Sequence, residues 1–124
     1  MFNETLMTIA NELVAYGNRD DSIGGLKALY APDAVSVEAG DMGMGRESHG
    51  VEAIIAKHNT WNEMVEAHDS KITGPFFHGE DQFGLIFELD STNRQSGERS
   101  EMREIGIYTV SDGKIVREEF YYST

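Results

Sequence analysis

Apolar residues recur along the first segment at Phe2, Leu6, Ile9, Leu13 and Tyr16, spacings of 4, 3, 4 and 3 that draw one stripe down a helix. Asn3 stands where a cap belongs and Gly17-Asn18 where a stop belongs. A shorter helix opens at Asp21 or Ser22, carries Ile23, Leu26 and Leu29 on one side, and is closed by Pro32. Ala34–Glu38 alternates as a short strand, and the glycine-rich stretch Gly40–Arg46, with Met42 and Met44, reads as a surface loop. Ser48 or His49 opens a third helix whose stripe runs Val51, Ile54, Ile55, His58, Trp61 and Val65. From about Ala67 the period becomes two. Phe83, Leu85, Phe87 and Leu89 mark one strand, and Glu101–Val110 and Ile115–Tyr122 two more, joined by Ser111-Asp112-Gly113.

Three helices precede a run of long strands, so an α+β domain with helices on one face of an antiparallel sheet is expected. A three-residue turn pairing Val110 with Lys114 puts Met102, Glu104, Gly106 and Tyr108 on the helix-facing side. Val116, Glu118, Phe120 and Tyr122 join them there. A two-residue turn would slip the register and separate Glu104 from Glu118. The opposite side carries Ile105, Ile107, Ile115 and Tyr121 among charges. Two partly apolar faces suggest a homodimer packed through the outer one.

Length and charge narrow the class. A chain of 124 residues is one domain, 1–124. The net charge of −12, with no basic cluster, argues against nucleic acid and anionic membranes. No signal peptide or membrane-length apolar run is visible, and there is no cysteine, which fits a cytoplasmic setting. The four histidines never form a helical metal pair, so no metal and no cofactor is expected.

Leu29-Tyr30-Ala31-Pro32-Asp33-Ala34, followed by a strand and by Gly50-Val51-Glu52-Ala53-Ile54 opening a helix, resembles the nuclear transport factor 2-like superfamily. The closing segment Ile107–Tyr121 is similar to its SnoaL-like branch, and the resemblance spans about residues 2–122. It implies a cone-shaped domain, a curved sheet wrapped around three helices, enclosing an apolar pocket and commonly dimeric. Ketosteroid isomerases, polyketide cyclases, dehydratases and non-catalytic binding modules share that fold, so fold leaves function open. The isomerase base position falls on Glu38. The two isomerase oxyanion positions fall on Val14 and Gly106, and Tyr16 lies about 200° around the helix from Val14. Steroid isomerisation by that mechanism is therefore not expected.

Candidate chemistry follows from these placements. Glu38 is the expected base, with His58 or His68 as partner and Glu104 or Glu118 as an acid whose pKa is raised by an apolar site. Tyr16, Trp61, Phe87, Tyr108, Phe120 and Tyr122 are the expected walls for an apolar small molecule. An isomerase, cyclase or dehydratase acting on an apolar carbonyl compound is one reading. A non-catalytic dimeric ligand-binding or interaction module is the other.

Overall fold

The computed structural model describes residues 3–41, 43 and 45–123. Phe2, Met42 and Met44, which the sequence places in the first stripe and in the loop, lie outside the described residues. The elements in chain order are α1 (Glu4–Asn18), α2 (Ser22–Leu29), β1 (Tyr30–Val37), β2 (Glu47–His49), α3 (Val51–Met64), β3 (Val65–His78), β4 (Gln82–Asn93), β5 (Arg99–Ser111) and β6 (Lys114–Tyr121). They build one open six-stranded sheet in the order β2-β1-β6-β5-β4-β3.

Local chemistry sets the helix starts. Asn3 Oδ1 accepts from the amides of Thr5 and Leu6, and Asp21 Oδ1 accepts from that of Gly24. The third helix starts differently from expectation. Ser48 and His49 belong to β2, and the cap is Gly50, at φ 92°, with its amide bonded to Ala34 O. Pairing of β2 with β1 takes the two polar residues that would otherwise have capped the helix. At the other end Val65 is the first residue of β3, so the period changes two residues earlier than the side-chain pattern shows.

Pro32 lies inside β1 instead of ending α2. It is tolerated because the β1–β6 ladder is irregular between Tyr30 and Val35, where a missing N–H costs no ladder bond. That ladder is parallel, which makes the sheet mixed, although β3 to β6 pair antiparallel in sequence as expected. Hairpin turns announce antiparallel neighbours locally. A parallel partner some 80 residues away has no such signal; Ser36 and Glu118, for example, are 82 residues apart.

The β5–β6 register needs a correction and returns the expected face. The turn is Asp112-Gly113, two residues with φ of 51° and 75°, closing on Ser111 opposite Lys114. Alone it would have turned Glu118 to the outer side. A bulge follows, however: Val110 pairs with Ile115 and Thr109 with Arg117, leaving Val116 as the extra residue. Parity is restored beyond it, so Tyr108 lies opposite Glu118 and Gly106 opposite Phe120. The exchange sends Ile115 into the core, fully buried, in place of Val116.

Leu6, Ile9 and Ala10 of α1, Leu26 and Leu29 of α2 and Ile54 of α3 pack on Phe83, Leu85, Tyr108, Ile115 and Phe120 of the sheet. Among the described residues no helix is long and apolar enough to cross a membrane. The bulge has a measurable signature. Ile115→Ala is expected to cost about 2–5 kcal/mol and Val116→Ala clearly less in urea unfolding. Equal costs would mean that Val116 shares the core and the register is not bulged.

Candidate functional site

Between the helices and the sheet lies a cavity of about 680 Å³. Three elements aim chemistry into it. On α3, Ile54, Lys57, His58 and Trp61 follow the i, i+3, i+4, i+7 rule, so one helix face presents an ammonium, an imidazole and an indole together. On the first strand, alternation carries Ser36 and then Glu38, just past the end of β1, to the same side. The bulged hairpin supplies Glu104 from β5 and Glu118 from β6.

These groups form one chain of hydrogen bonds. Glu118 is buried, at 1% exposure. Its Oε1 accepts from the Tyr30 hydroxyl and its Oε2 from Ser36 Oγ at 2.6 Å. Ser36 Oγ in turn accepts from Lys57 Nζ at 2.5 Å, and Lys57 also donates to Glu38 Oε1 at 2.7 Å. Glu38 Oε2 accepts from the Tyr122 hydroxyl at 2.9 Å. Donor directions are forced. An ammonium only donates, so the single hydroxyl hydrogen of Ser36 must go to Glu118. Glu38 and Glu118 thus accept at both oxygens and act as carboxylates, with one ammonium between them.

Glu104 stands outside that chain. It forms no side-chain hydrogen bond or ion pair among the described residues, is half-buried, and lines the cavity beside Phe87 and Met102. Burial, reinforced by the negative charges of Glu38 and Glu118 and opposed by Lys57, raises its pKa from 4.5 to about 7. His58 moves the other way. Burial pushes its imidazole below the ordinary value, against Glu118 and Glu38, and the Lys57 charge adds to the lowering. Tyr122 is pushed up to about 12 by burial and by its bond to Glu38. Tyr30 and Tyr108 are raised well above the usual phenol range, mainly by burial.

The expected walls are all present. Tyr16, Trp61 and Phe87 line the cavity, as do Tyr108, Phe120 and Tyr122. Tyr108 stacks on Phe83 at 4.9 Å and meets Phe120 edge-on at 6.2 Å. Glycine at 106 makes this possible: a Cβ there would sit 3.0–3.2 Å from the rings of Tyr108, Phe120 and Phe87. Of the acid/base candidates, Glu38, His58, Glu104 and Glu118 are brought together. His68 is not. It sits on the exposed side of β3, with Nε2 2.7 Å from Thr92 Oγ1 and Nδ1 3.7 Å from Glu66. Val65 already belongs to β3, and the irregularity between Ala67 and Asp69 interrupts the alternation on which an inward His68 depended.

Lys57, Tyr30 and Ser36 were not singled out from the sequence. Two of the three carry a readable signal, since Lys57 stands at i+3 from Ile54 and Ser36 two before Glu38. Among the described residues no group of three or more His, Asp or Glu is placed to hold a metal ion.

Three helices laid on an open mixed sheet are the fold this chain shares with solved structures described as nuclear transport factor 2-like and cystatin-like. Within that fold the chain belongs to the SnoaL-like domain family, which matches residues 7–122. A Mesorhizobium loti protein provisionally named a SnoaL-like polyketide cyclase, with carbohydrate phosphatase added in brackets, is 40% identical with a TM-score of 0.88, covering 94% of this chain and 97% of that one. A Bacillus subtilis protein provisionally named an isomerase shares the fold at 18% identity and a TM-score of 0.75, covering 97% and 87%. So does a Xanthomonas campestris protein of unknown function described as cystatin-like, at 16% and 0.81, covering 96% and 91%. No curated protein matches the chain.

The raised Glu104 carboxyl ties stability to pH. Folding favours its protonated form, so its contribution is full below the unfolded value of 4.5 and fades as pH rises through about 7. Relative to Glu104→Gln, the wild-type protein is expected to lose on the order of 2–3 kcal/mol between pH 4.5 and 8. Thermal midpoints of the two proteins should therefore diverge by several degrees with rising pH. Parallel curves would mean that Glu104 is solvated.

Proposed function

We propose that this protein moves a proton on an apolar carbonyl compound, as an isomerase, cyclase or dehydratase of the SnoaL-like family would, using its own side chains as acid and base. One observation carries the reading: an unpartnered carboxyl, Glu104, set in the wall of an apolar cavity and poised near neutrality. Aromatic walls supply affinity for an apolar skeleton, and a half-buried Glu104 is free to take a proton or give one. Glu104 suits the role better than Glu38. Both oxygens of Glu38 are committed, to Lys57 and Tyr122, and a base in that state must break an ion pair before it acts. His58, whose imidazole burial pushes below its ordinary value, lines the same cavity and is the proposed proton relay.

The cyclase name of the M. loti relative agrees with this reading. Its second label suits the cavity less well. Lys57 is already matched by Glu38, and a phosphate ester beside it would meet the carboxyl groups of Glu38 and Glu118.

A thermal-shift screen with steroids, aromatic polyketides and small terpenoids is the entry point, since a ligand at about 100 times its dissociation constant stabilises the fold by roughly 2.7 kcal/mol. For a hit that is turned over, Glu104→Gln is expected to keep binding and lose about 10²–10⁴-fold in kcat, and the wild-type rate should rise with pH through about 7 as the base ionises. Binding without turnover in the wild-type protein would favour the non-catalytic binding module. Turnover unchanged in the variant would remove Glu104 from the chemistry.

We also propose a homodimer through the outer sheet face, where Phe76, Ile105 and Tyr121 are about half exposed, at 54%, 45% and 51%. Sedimentation at micromolar concentration is expected to give twice the chain mass, and Ile105→Glu with Tyr121→Glu to halve it. A wild-type monomer would overturn the assignment.

A further inference from the structure

We infer that Lys57 is the group that grips the substrate's carbonyl oxygen and holds the negative charge that collects there when a proton leaves the adjacent carbon. This deepens the proton-transfer reading of the cavity and rests on it. An ammonium has three N–H bonds. Two are fixed by Ser36 Oγ and Glu38 Oε1, and these bonds orient the head group. The third has no oxygen or nitrogen acceptor among the described residues. Lys57 lines the cavity, its side chain is 14% exposed, and Nζ stands 5.6 Å from the centre of the Phe120 ring. In the cavity, that N–H and the carboxyl of Glu104 are two polar groups without a hydrogen-bond partner among the described residues.

Such a pair suits one chemistry. Glu104, as carboxylate, takes the proton from the carbon next to the carbonyl. The C–H electron pair becomes a carbon–carbon double bond, and the carbonyl π pair moves onto oxygen. The Lys57 N–H meets that oxygen as its charge develops. In a substrate with a carbon–carbon double bond one carbon further on, Glu104 then returns the proton to the far carbon of that bond while the pair on oxygen re-forms the carbonyl, so charge and atoms balance. Held by two bonds in a cavity that excludes much of the solvent, the ammonium is preorganised for this task. The neighbouring carboxylate of Glu38 keeps the resting site from demanding an anionic ligand. Substrate is therefore a neutral carbonyl compound, not a carboxylic acid.

The test uses 2-acetylnaphthalene labelled with carbon-13 at its carbonyl, a neutral aromatic ketone, at pH 8.5, where Glu104 is ionised and does not donate. In the wild-type protein the labelled C=O stretch is expected at lower frequency than for the probe in hexane. Lys57→Met should return it towards the hexane value and weaken binding about 10- to 100-fold, whereas Lys57→Arg should keep much of the shift. The ¹⁵Nζ resonance of Lys57 in the unaltered protein should move on probe addition, a readout that needs no variant to fold. A bound probe with the same frequency in wild type and Lys57→Met, or an Nζ resonance that does not move, overturns the role of Lys57 and leaves the cavity reading standing. Failure of the ketone to bind at all overturns the cavity reading, and this inference with it.

Discussion

A buried carboxylate governs the interior of this domain. Glu118 lies out of reach of solvent, and burying a carboxyl group there costs several kcal/mol unless its oxygens find hydrogen-bond donors. Tyr30 and Ser36 engage it, and Ser36, donating to Glu118, accepts in turn from Lys57. That requirement brings a lysine into an apolar cavity, and the lysine then requires Glu38, which Tyr122 completes. Strand β1, helix α3 and strand β6 are locked to one another by this sequence of obligations. No buried polar side-chain atom among the described residues is left without a partner.

The same arithmetic sets the electrostatics of the cavity. Within the hydrogen-bonded chain two carboxyl groups face one ammonium, and Glu104 stands near it as an ionisable group without a partner of its own. Glu104 keeps its proton up to about pH 7, first because it is buried and then because Glu38 and Glu118 oppose a further negative charge. Neutral His58 follows from the same low polarity acting on a base. Burial thus reverses the order of the two groups: in water a carboxyl titrates about two units below an imidazole, whereas here Glu104 is raised to about 7 and His58 is pushed below its ordinary value.

Much of this is legible in the sequence, for reasons that differ by element. Helical stripes at Leu6–Ile9–Leu13 and Ile54–His58–Trp61 report the buried faces directly, and the alternation at Phe83–Leu89 reports the cavity wall. Together with the motifs around Leu29–Ala34 and Ile107–Tyr121 they reach the correct family. The shared face of Glu104 and Glu118 is read from a three-residue turn, whereas the molecule obtains it with a two-residue turn and a bulge at Val116. Side-chain parity is visible in a sequence; the device that produces it is not. His68 shows the converse, since an irregularity in β3 breaks the alternation locally and leaves the imidazole on Thr92. Lys57 escapes because a lysine on a helix stripe reads as a solvated boundary residue. Only the parallel pairing of β1 with β6, which carries no local signal, shows what it reaches.

That parallel pairing also dictates when the site exists during synthesis. Tyr30 and Ser36 precede their shared partner by 88 and 82 residues. Until β6 has left the ribosome, β1 and β5 each present an unpaired edge, and the hydroxyls of Tyr30 and Ser36 have no carboxylate to receive them. The nascent chain can assemble its helices and the β3–β4–β5 meander early, because those contacts are close in sequence. Completion waits for the final strand, which closes the sheet and creates the charged interior in a single event. A chain that stalls before Lys114 is thus an aggregation hazard as well as an inactive one.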